Sequence, residues 1–358
     1  GNEYNRRLRV KVHILYPFVN GPWGGANQFL KALRESFIRQ GVYEEDAYCA
    51  DLLLFNSSPL ALYDLLQKIY KIKKKYPNMV IVSRMDGPVF LIRGNDLAVD
   101  KALYHFSNAA TDGTIFQSQW SKEKNYLQGM CKKPFESVII NAPNASVFNQ
   151  NNKKPFHCNQ KIRLIATSWS SNYKKGFTTY EWLDKNLNFS RYEMIFIGNS
   201  PIKFKNIRHI QPLDTDKLAI ELKKSDIFIT ASQKDPCSNS LIEALHCGLP
   251  AIVLNDGGHP ELLGKGGEAF THVEEVPILL DKVVDSYLDY QGNIQVPSME
   301  KIGEVYYRFL EGVFLKSRKS NCIPKKFNWF SYLKIKKMLV WWRGSQYLIK
   351  LKKRIWLF

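Results

Sequence analysis

Thr230-Ala231-Ser232-Gln233-Lys234-Asp235-Pro236-Cys237-Ser238-Asn239-Ser240-Leu241-Ile242-Glu243-Ala244-Leu245-His246-Cys247-Gly248-Leu249-Pro250 decides how this chain is read. It begins at the end of an apolar strand, Asp226–Thr230, and passes through a polar loop. A short helix follows over Ser238–Cys247, then Gly248 and Pro250 stop it ahead of a second strand, Ala251–Leu254. Ser at the helix start and Gly-x-Pro past its end are the ordinary stop and start signals. Two short apolar strands joined through a helix make a parallel pair, which needs such a crossover.

The same alternation extends in both directions. Upstream lie strands at Ile162–Thr167, Tyr192–Gly198 and Ile207–Ile210, with helices at Thr178–Asn186 and Asp216–Lys224. Downstream come helices at His259–Gly264 and Val276–Tyr287, a strand at Glu268–Phe270 and a last globular helix at Met299–Lys316. Before Asn141 a second set repeats the theme. Its strands are Val10–Tyr16, Asp51–Phe55, Met79–Ser83, Gly113–Gln117 and Ser137–Ile140, and its helices Asn27–Gln40, Leu60–Lys74, Asp96–Ala109 and Ser121–Gly129. Residues 141–160 are rich in asparagine, lack apolar periodicity and suit a linker. The length of 358 residues fits two domains of about 150. The expected fold is α/β, two tandem doubly wound Rossmann-like domains facing a cleft: 1–150, 151–298, a body-packing helix at 299–318 and a basic aromatic tail at 319–358.

Composition bounds the function. The hydrophobic fraction of 45% excludes disordered and low-complexity classes. Of the net +18, ten basic residues and no acid lie between Lys325 and Phe358, leaving +8 for the body. Four of the eight tryptophans, Trp329, Trp341, Trp342 and Trp356, share that tail. Six scattered cysteines form no CxxC pair, so neither a zinc site nor a disulfide framework is expected, and a reducing compartment is the default. The sequons at Asn56, Asn144 and Asn188 read as chance matches. No run of 18 apolar residues occurs. The opening Arg6–Tyr16 reads as a first strand rather than a leader.

In doubly wound sheets, ligands gather beyond the carboxyl ends of the strands, close to helix N-termini. Four loops hold those positions. Gly24 and Gly25 follow the first strand and either admit a ligand to the backbone or simply make a tight turn. Arg84 and Asp86, at the end of the third strand, either point at substrate or form a local ion pair. Ser171-Asn172-Tyr173-Lys174-Lys175-Gly176 offers polar donors and two lysines to a phosphate, or is a solvated loop. Ser238, Asn239 and Ser240 present caps and exposed amides, and Glu243, a turn further in, is placed to accept both hydroxyls of a ribose or is simply an acid favoured near a helix start by the dipole.

With Asp235 and Glu243 separated by seven residues and followed by Ala244-Leu245-His246-Cys247-Gly248-Leu249-Pro250, the chain resembles the retaining nucleotide-sugar glycosyltransferases of family 4, which have the GT-B fold. Gly24-Gly25, Lys175-Gly176, Phe116-Gln117-Ser118-Gln119-Trp120-Ser121 and Asn141-Ala142-Pro143-Asn144 fall in the family's order, and the resemblance covers roughly residues 8–290. It implies that Glu243 binds the donor ribose, and that the amides around Ser238, Asn239 and Ser240, with Lys175, hold the diphosphate. Gly24 and Gly25 would face the phosphates from the other half, Asp235 would lie near the sugar hydroxyls, and the backbone near Ile210–Leu213 would border the base. Two departures stand out. The first acid is usually Glu, and the family's Arg shortly before Lys-Gly has no counterpart between Thr167 and Lys174. Lys174 or Arg84 would supply that charge, and Arg84-Met85-Asp86-Gly87 takes the place of a His found in many members. Asp86 would orient an acceptor or donor hydroxyl. No Asp-x-Asp motif occurs, in keeping with leaving-group stabilisation by amides and lysine, without metal or cofactor.

The resemblance thus implies transfer of a sugar from a nucleoside-diphosphate sugar to a glycan or lipid-linked acceptor. The tail, 325–358, alternates apolar and basic residues at helical spacing, which suits an anionic membrane surface, and its alternative is packing back on the first half. The whole is expected to be cytoplasmic and peripherally membrane-bound. Two rival readings are a GT-B protein that binds nucleotide sugar without turnover, and a nucleic-acid binder using the tail. The modest charge of the body and its lack of an RRM, KH or helix-turn-helix signature make nucleic acid unlikely as a partner.

Overall fold

A computed structural model describes residues 9–21, 24–319 and 322–355, with side chains to 352. Arg6–Leu8, part of the opening run, and Trp356–Phe358, part of the tail, lie outside the described residues. In chain order the first elements are β1 (Val12–Leu15), α1 (Gly25–Arg39), β2 (Leu52–Ser57), α2 (Pro59–Lys75), β3 (Val80–Met85), α3 (Val89–Arg93), α4 (Leu97–Ala110), β4 (Gly113–Phe116), α5 (Gln119–Leu127) and β5 (Phe135–Val138). There follow β6 (Ile162–Ser168), α6 (Phe177–Asn186), β7 (Tyr192–Gly198), β8 (Arg208–Ile210), α7 (Thr215–Lys223), β9 (Ile227–Thr230), α8 (Asn239–His246) and β10 (Ala251–Leu254). The last are α9 (His259–Leu263), β11 (Gly267–Phe270), α10 (Val276–Asp285), α11 (Tyr287–Gly292), α12 (Met299–Lys319) and α13 (Trp329–Ile355).

The chain divides into two compact units. One comprises the residues up to Val19, Leu33–Ile139 and the chain from Gly303 onward; the other comprises Asn20–Ala32 and Ile140–Ile302. The boundary expected at 150 therefore lies near 140. Residues 141–160 are not a free linker, because Phe148 is buried in the second unit with Val147 packed beside it. Lys153 Nζ also donates to the Ser225 carbonyl at 2.8 Å.

In the first unit five parallel strands follow the order β1-β2-β3-β4-β5, and Tyr43 makes a parallel bridge to Val12 on the other side of β1. Counting that bridge as a strand, the order is the flavodoxin-like one, and the chain reverses direction across the sheet at β1. In sheets of this order ligands gather beyond the carboxyl ends of the strands at the reversal, here β1 and β2. The strands are buried along nearly their whole length, as parallel strands covered on both faces must be.

The second unit has six parallel strands in the order β11-β10-β9-β6-β7-β8. This is the dinucleotide-fold order, with its switch point between β6 and β9. Its two cores pack on the two faces of the sheet. Phe177, Tyr180, Val276 and Leu280 cover one, while Leu241, Leu245, Ala219 and Leu222 cover the other.

Two departures from the sequence expectation have tertiary causes. Helix α3 was not anticipated. Its amides at Val89 and Phe90 donate to the buried Asp100 carboxylate from ten residues away, at 2.9 Å each, a cap with no local signature. The helix expected over Val276–Tyr287 is two, α10 and α11, parted at Ser286. Among the described residues, no helix is long and apolar enough to cross a membrane.

Candidate functional site

The loop after β6 and the loop after β9 emerge side by side at the switch point of the second unit. Asn172 caps a 3-10 turn over Tyr173–Lys175, its Oδ1 accepting from the Lys174 amide at 2.9 Å. The Lys174 carbonyl accepts from the Gln233 amide at 2.7 Å, which ties the turn to the loop after β9. Gly176 has φ of +100°, and a Cβ there would press on Ala231. Only glycine lets the two loops approach this closely. Lys175 Nζ then lies 3.6 Å from Asp235 Oδ2. Asp235 is held in turn, since its Oδ1 accepts from the Cys237 amide and its carbonyl from the Gly258 amide.

Four residues beyond Asp235, α8 begins. Ser238 is its N-cap, and its Oγ accepts from the Leu241 amide at 3.3 Å and lies 3.1 Å from Ser240 Oγ. The amides of Asn239 and Ser240 have no intrahelical partner, as at every helix start, and the positive end of the helix dipole coincides with them. Asn239 is fixed from the side: its Oδ1 accepts from Asn141 Nδ2 at 3.0 Å, and Gly25 packs against it so closely that a Cβ would collide with its amide. Gly24 also has a positive φ, with open space at its Cβ position. Both glycines group with the second unit, whereas the expected division assigned them to the first domain. Pro22 and Trp23 in the same loop lie outside the described residues.

Glu243 stands one turn into α8. None of the described residues hydrogen-bonds its carboxylate, and burial pushes its pKa up to about 8. His259, at the start of α9, is a second unsatisfied group. Its Nδ1 bonds the Leu254 carbonyl, while its Nε2 is buried without a partner among the described residues. Burial lowers its pKa and keeps it neutral, against the opposing pull of Asp235.

Arg84 and Asp86 belong to the first unit, in a cluster of their own at the carboxyl end of β3. Arg84 is 1% exposed. Its Nη1 donates to Asn56 Oδ1 at 2.6 Å and lies 3.5 Å from Asp86 Oδ1, and its Nε donates to the Tyr306 hydroxyl at 3.1 Å. Asp86 accepts from Asn56 Nδ2 at 3.2 Å and from Gln117 Nε2, and remains partly exposed. Arg84 is thus enclosed by Asn56 and Tyr306, beside the Asp86 carboxylate.

The second unit thus assembles Gly24, Gly25, Asn172, Lys174, Lys175, Asp235, Ser238, Asn239, Ser240 and Glu243. Sequence reasoning passed over Asn56, Tyr306, Asn141 and His259 as site residues. Asn56 and Asn141 stand at strand ends, a position that could have flagged them. Tyr306 lies 222 residues from Arg84 and carried no local signal. Among the described residues, no group of three or more His, Cys, Asp or Glu is arranged to hold a metal ion.

The sequence model of the family described as glycosyl transferases group 1 matches residues 203–303, the span that contains Asp235, α8 and Glu243. Comparison with curated proteins gives no match. Similar solved structures include sucrose-phosphate synthase from Thermosynechococcus elongatus, at 13% identity, covering 87% of this chain and 98% of that one, with a TM-score of 0.59. HepE of Anabaena, solved with UDP-glucose, is 12% identical over 94% of this chain and 100% of its own, with a TM-score of 0.59. The catalytic domain of starch synthase IV from Arabidopsis thaliana, solved with ADP and acarbose, is 11% identical over 87% and 100%, with a TM-score of 0.60. The fold is that of the GT-B proteins, and residues 203–303 match the model of the glycosyl transferases group 1.

Proposed function

We propose that this chain moves a glycosyl group from a nucleoside-diphosphate sugar to a hydroxyl of a glycan or lipid-linked acceptor, with retention and without a metal ion. It would do so in the cytoplasm at an anionic membrane surface met through residues 325–358. The observation that carries the reading is the start of α8, where two unpaired amides, Lys175 and an unpartnered Glu243 meet at the switch point of the second sheet.

Each group has a task. Glu243 accepts both ribose hydroxyls. The Asn239 and Ser240 amides and Lys175 hold the diphosphate, with Lys175 exchanging part of its pairing with Asp235 for phosphate. Asp235, released in part, accepts from the sugar hydroxyls. As the bond from the anomeric carbon to the diphosphate oxygen breaks, its electron pair stays on phosphate, where the amides and ammonium stabilise the charge. The acceptor oxygen bonds the anomeric carbon on the face the diphosphate leaves, and its proton goes to the departing diphosphate. Asp86, aimed by Arg84, Asn56 and Gln117, orients the acceptor hydroxyl. The printed ligands of similar structures, UDP-glucose and ADP, support the donor class.

Calorimetry with UDP, GDP, ADP and dTDP, wild type beside Glu243→Ala, tests this. One diphosphate is expected to bind selectively, with affinity falling at least about tenfold in the variant, the size of a lost charge-assisted hydrogen bond. Turnover is expected to survive EDTA. Absence of binding by the folded protein overturns the donor site. Binding without sugar transfer selects the turnover-free alternative.

A further inference from the structure

Helix α13 has two apolar faces and only one is used by the protein. Tyr332, Ile335, Leu339 and Trp342 are buried in the core shared with α2 and α4. At about 100° per residue these four lie along one side of the helix. Phe330, Leu333, Val340, Trp341 and Leu348 are exposed, Phe330 by 83% and Trp341 by 68%, and they centre on the opposite side, while Trp329 at the start of the helix packs on Tyr70 and Tyr332. Lys336 and Arg343 border this outer face along one edge, Lys334 and Lys352 along the other, and Lys337 lies within it. All five are exposed, and there is no acidic residue from Lys325 to the end of the chain. From Phe330 to Leu348 the stripe runs roughly 27 Å.

We infer that the outer face of α13 is a docking surface for an anionic lipid bilayer, used while the inner face stays bonded to the first unit. This rests on the proposed membrane role of residues 325–358 and assigns it to particular side chains. The charge pattern selects the partner. Tryptophan, phenylalanine and leucine flanked by lysines match the boundary between headgroups and acyl chains, where rings and aliphatic groups enter apolar surroundings and ammonium groups stay with phosphate. A polyanion such as nucleic acid would engage the lysines but leave Leu333, Val340 and Leu348 in water. The helix lies flat against the body, held by its inner seam, so it meets lipid side-on. Packing on the body and contact with lipid are then two functions of one helix rather than alternatives.

The test is sedimentation of the full chain with phosphatidylcholine vesicles, with and without phosphatidylserine, at low and high salt. Wild type is expected to pellet with the anionic vesicles and to be partly released by salt. A Phe330→Ser, Trp341→Ser, Leu348→Ser variant, altered only at exposed positions, should lose about tenfold or more of its partition even at low salt. A Lys334→Gln, Lys336→Gln, Lys337→Gln variant should lose its preference for phosphatidylserine. Wild type remaining in the supernatant with every vesicle overturns the inference, as does a serine variant that pellets like wild type. So does self-association, or oligonucleotide binding, as the only activity of this face. Nucleoside-diphosphate binding, measured on the same samples, is expected to be unchanged in both variants. Lost vesicle binding with intact nucleotide binding in wild type would leave the donor-site reading standing, and the converse result would leave the membrane face standing.

Discussion

Glu243 concentrates the chemistry of the second unit in one side chain. Its raised pKa, about 8 against an ordinary 4.5, means that the unfolded chain gives up this proton first as pH rises. The folded protein therefore loses stability across the window from about 4.5 to about 8, and below that window the group contributes no pH dependence. Glu243→Gln removes the effect. Its unfolding free energy is expected to match wild type near pH 5 and to exceed it increasingly toward pH 8, by about 1–3 kcal/mol at the end. A scan of melting temperature against pH decides this, and parallel curves would contradict it. Hydroxyl donors favour the charged form, so nucleotide binding near pH 7 is expected to release a proton, visible as a buffer-dependent binding enthalpy. Arg84 teaches the opposite lesson at this scale. Its place at a strand end predicts a cation offered to ligand, yet its partners Asn56, Asp86 and Tyr306 bury it. Burial of a charge is tolerable only with such partners, and two of them, Asn56 and Tyr306, come from distant segments.

At the scale of the element, α8 is a short helix whose start does two jobs. Ser238 caps it, and under the proposed function the amides beyond the cap meet the diphosphate. Ser238→Ala should cost about 0.5–2 kcal/mol of stability, read from urea denaturation. It should also weaken diphosphate binding, because fraying moves the Asn239 and Ser240 amides. An effect on stability alone would argue that the helix start does not touch the ligand. Helix α13 shows why periodicity can mislead. Apolar residues recur on two sides of it, so the sequence presents basic and aromatic residues without stating which side meets the body. The packing of Tyr332, Ile335, Leu339 and Trp342 decides that.

For the whole molecule, the return of the C-terminal segment to the first unit matters most. Tyr306, Leu310 and Val313 of α12 are buried, and Arg84 bonds Tyr306, while α13 covers α2 and α4. A chain ending at residue 298 would leave these apolar surfaces of the first unit exposed. It is expected to be poorly soluble or to lose its cooperative unfolding transition, while a chain ending at 324 keeps α12 and should be destabilised less. Soluble yield and denaturation curves of the two truncations check the order, and a 298-residue chain that unfolds like the full one would refute it.

By itself the sequence determined the two doubly wound halves, because strand and helix periods are local and repeat along the chain. It also placed Gly24-Gly25, Lys175-Gly176 and Ser238–Ser240 each between a strand and a helix, where the structure has them. What it left open depends on distance. The strand order that puts β6 beside β9, the pairing of Lys175 with Asp235, the support of Asn239 by Asn141 and the enclosure of Arg84 join residues tens to hundreds of positions apart. Segments this far apart meet only when the sheets close, so no local pattern encodes which side chain a buried charge will find.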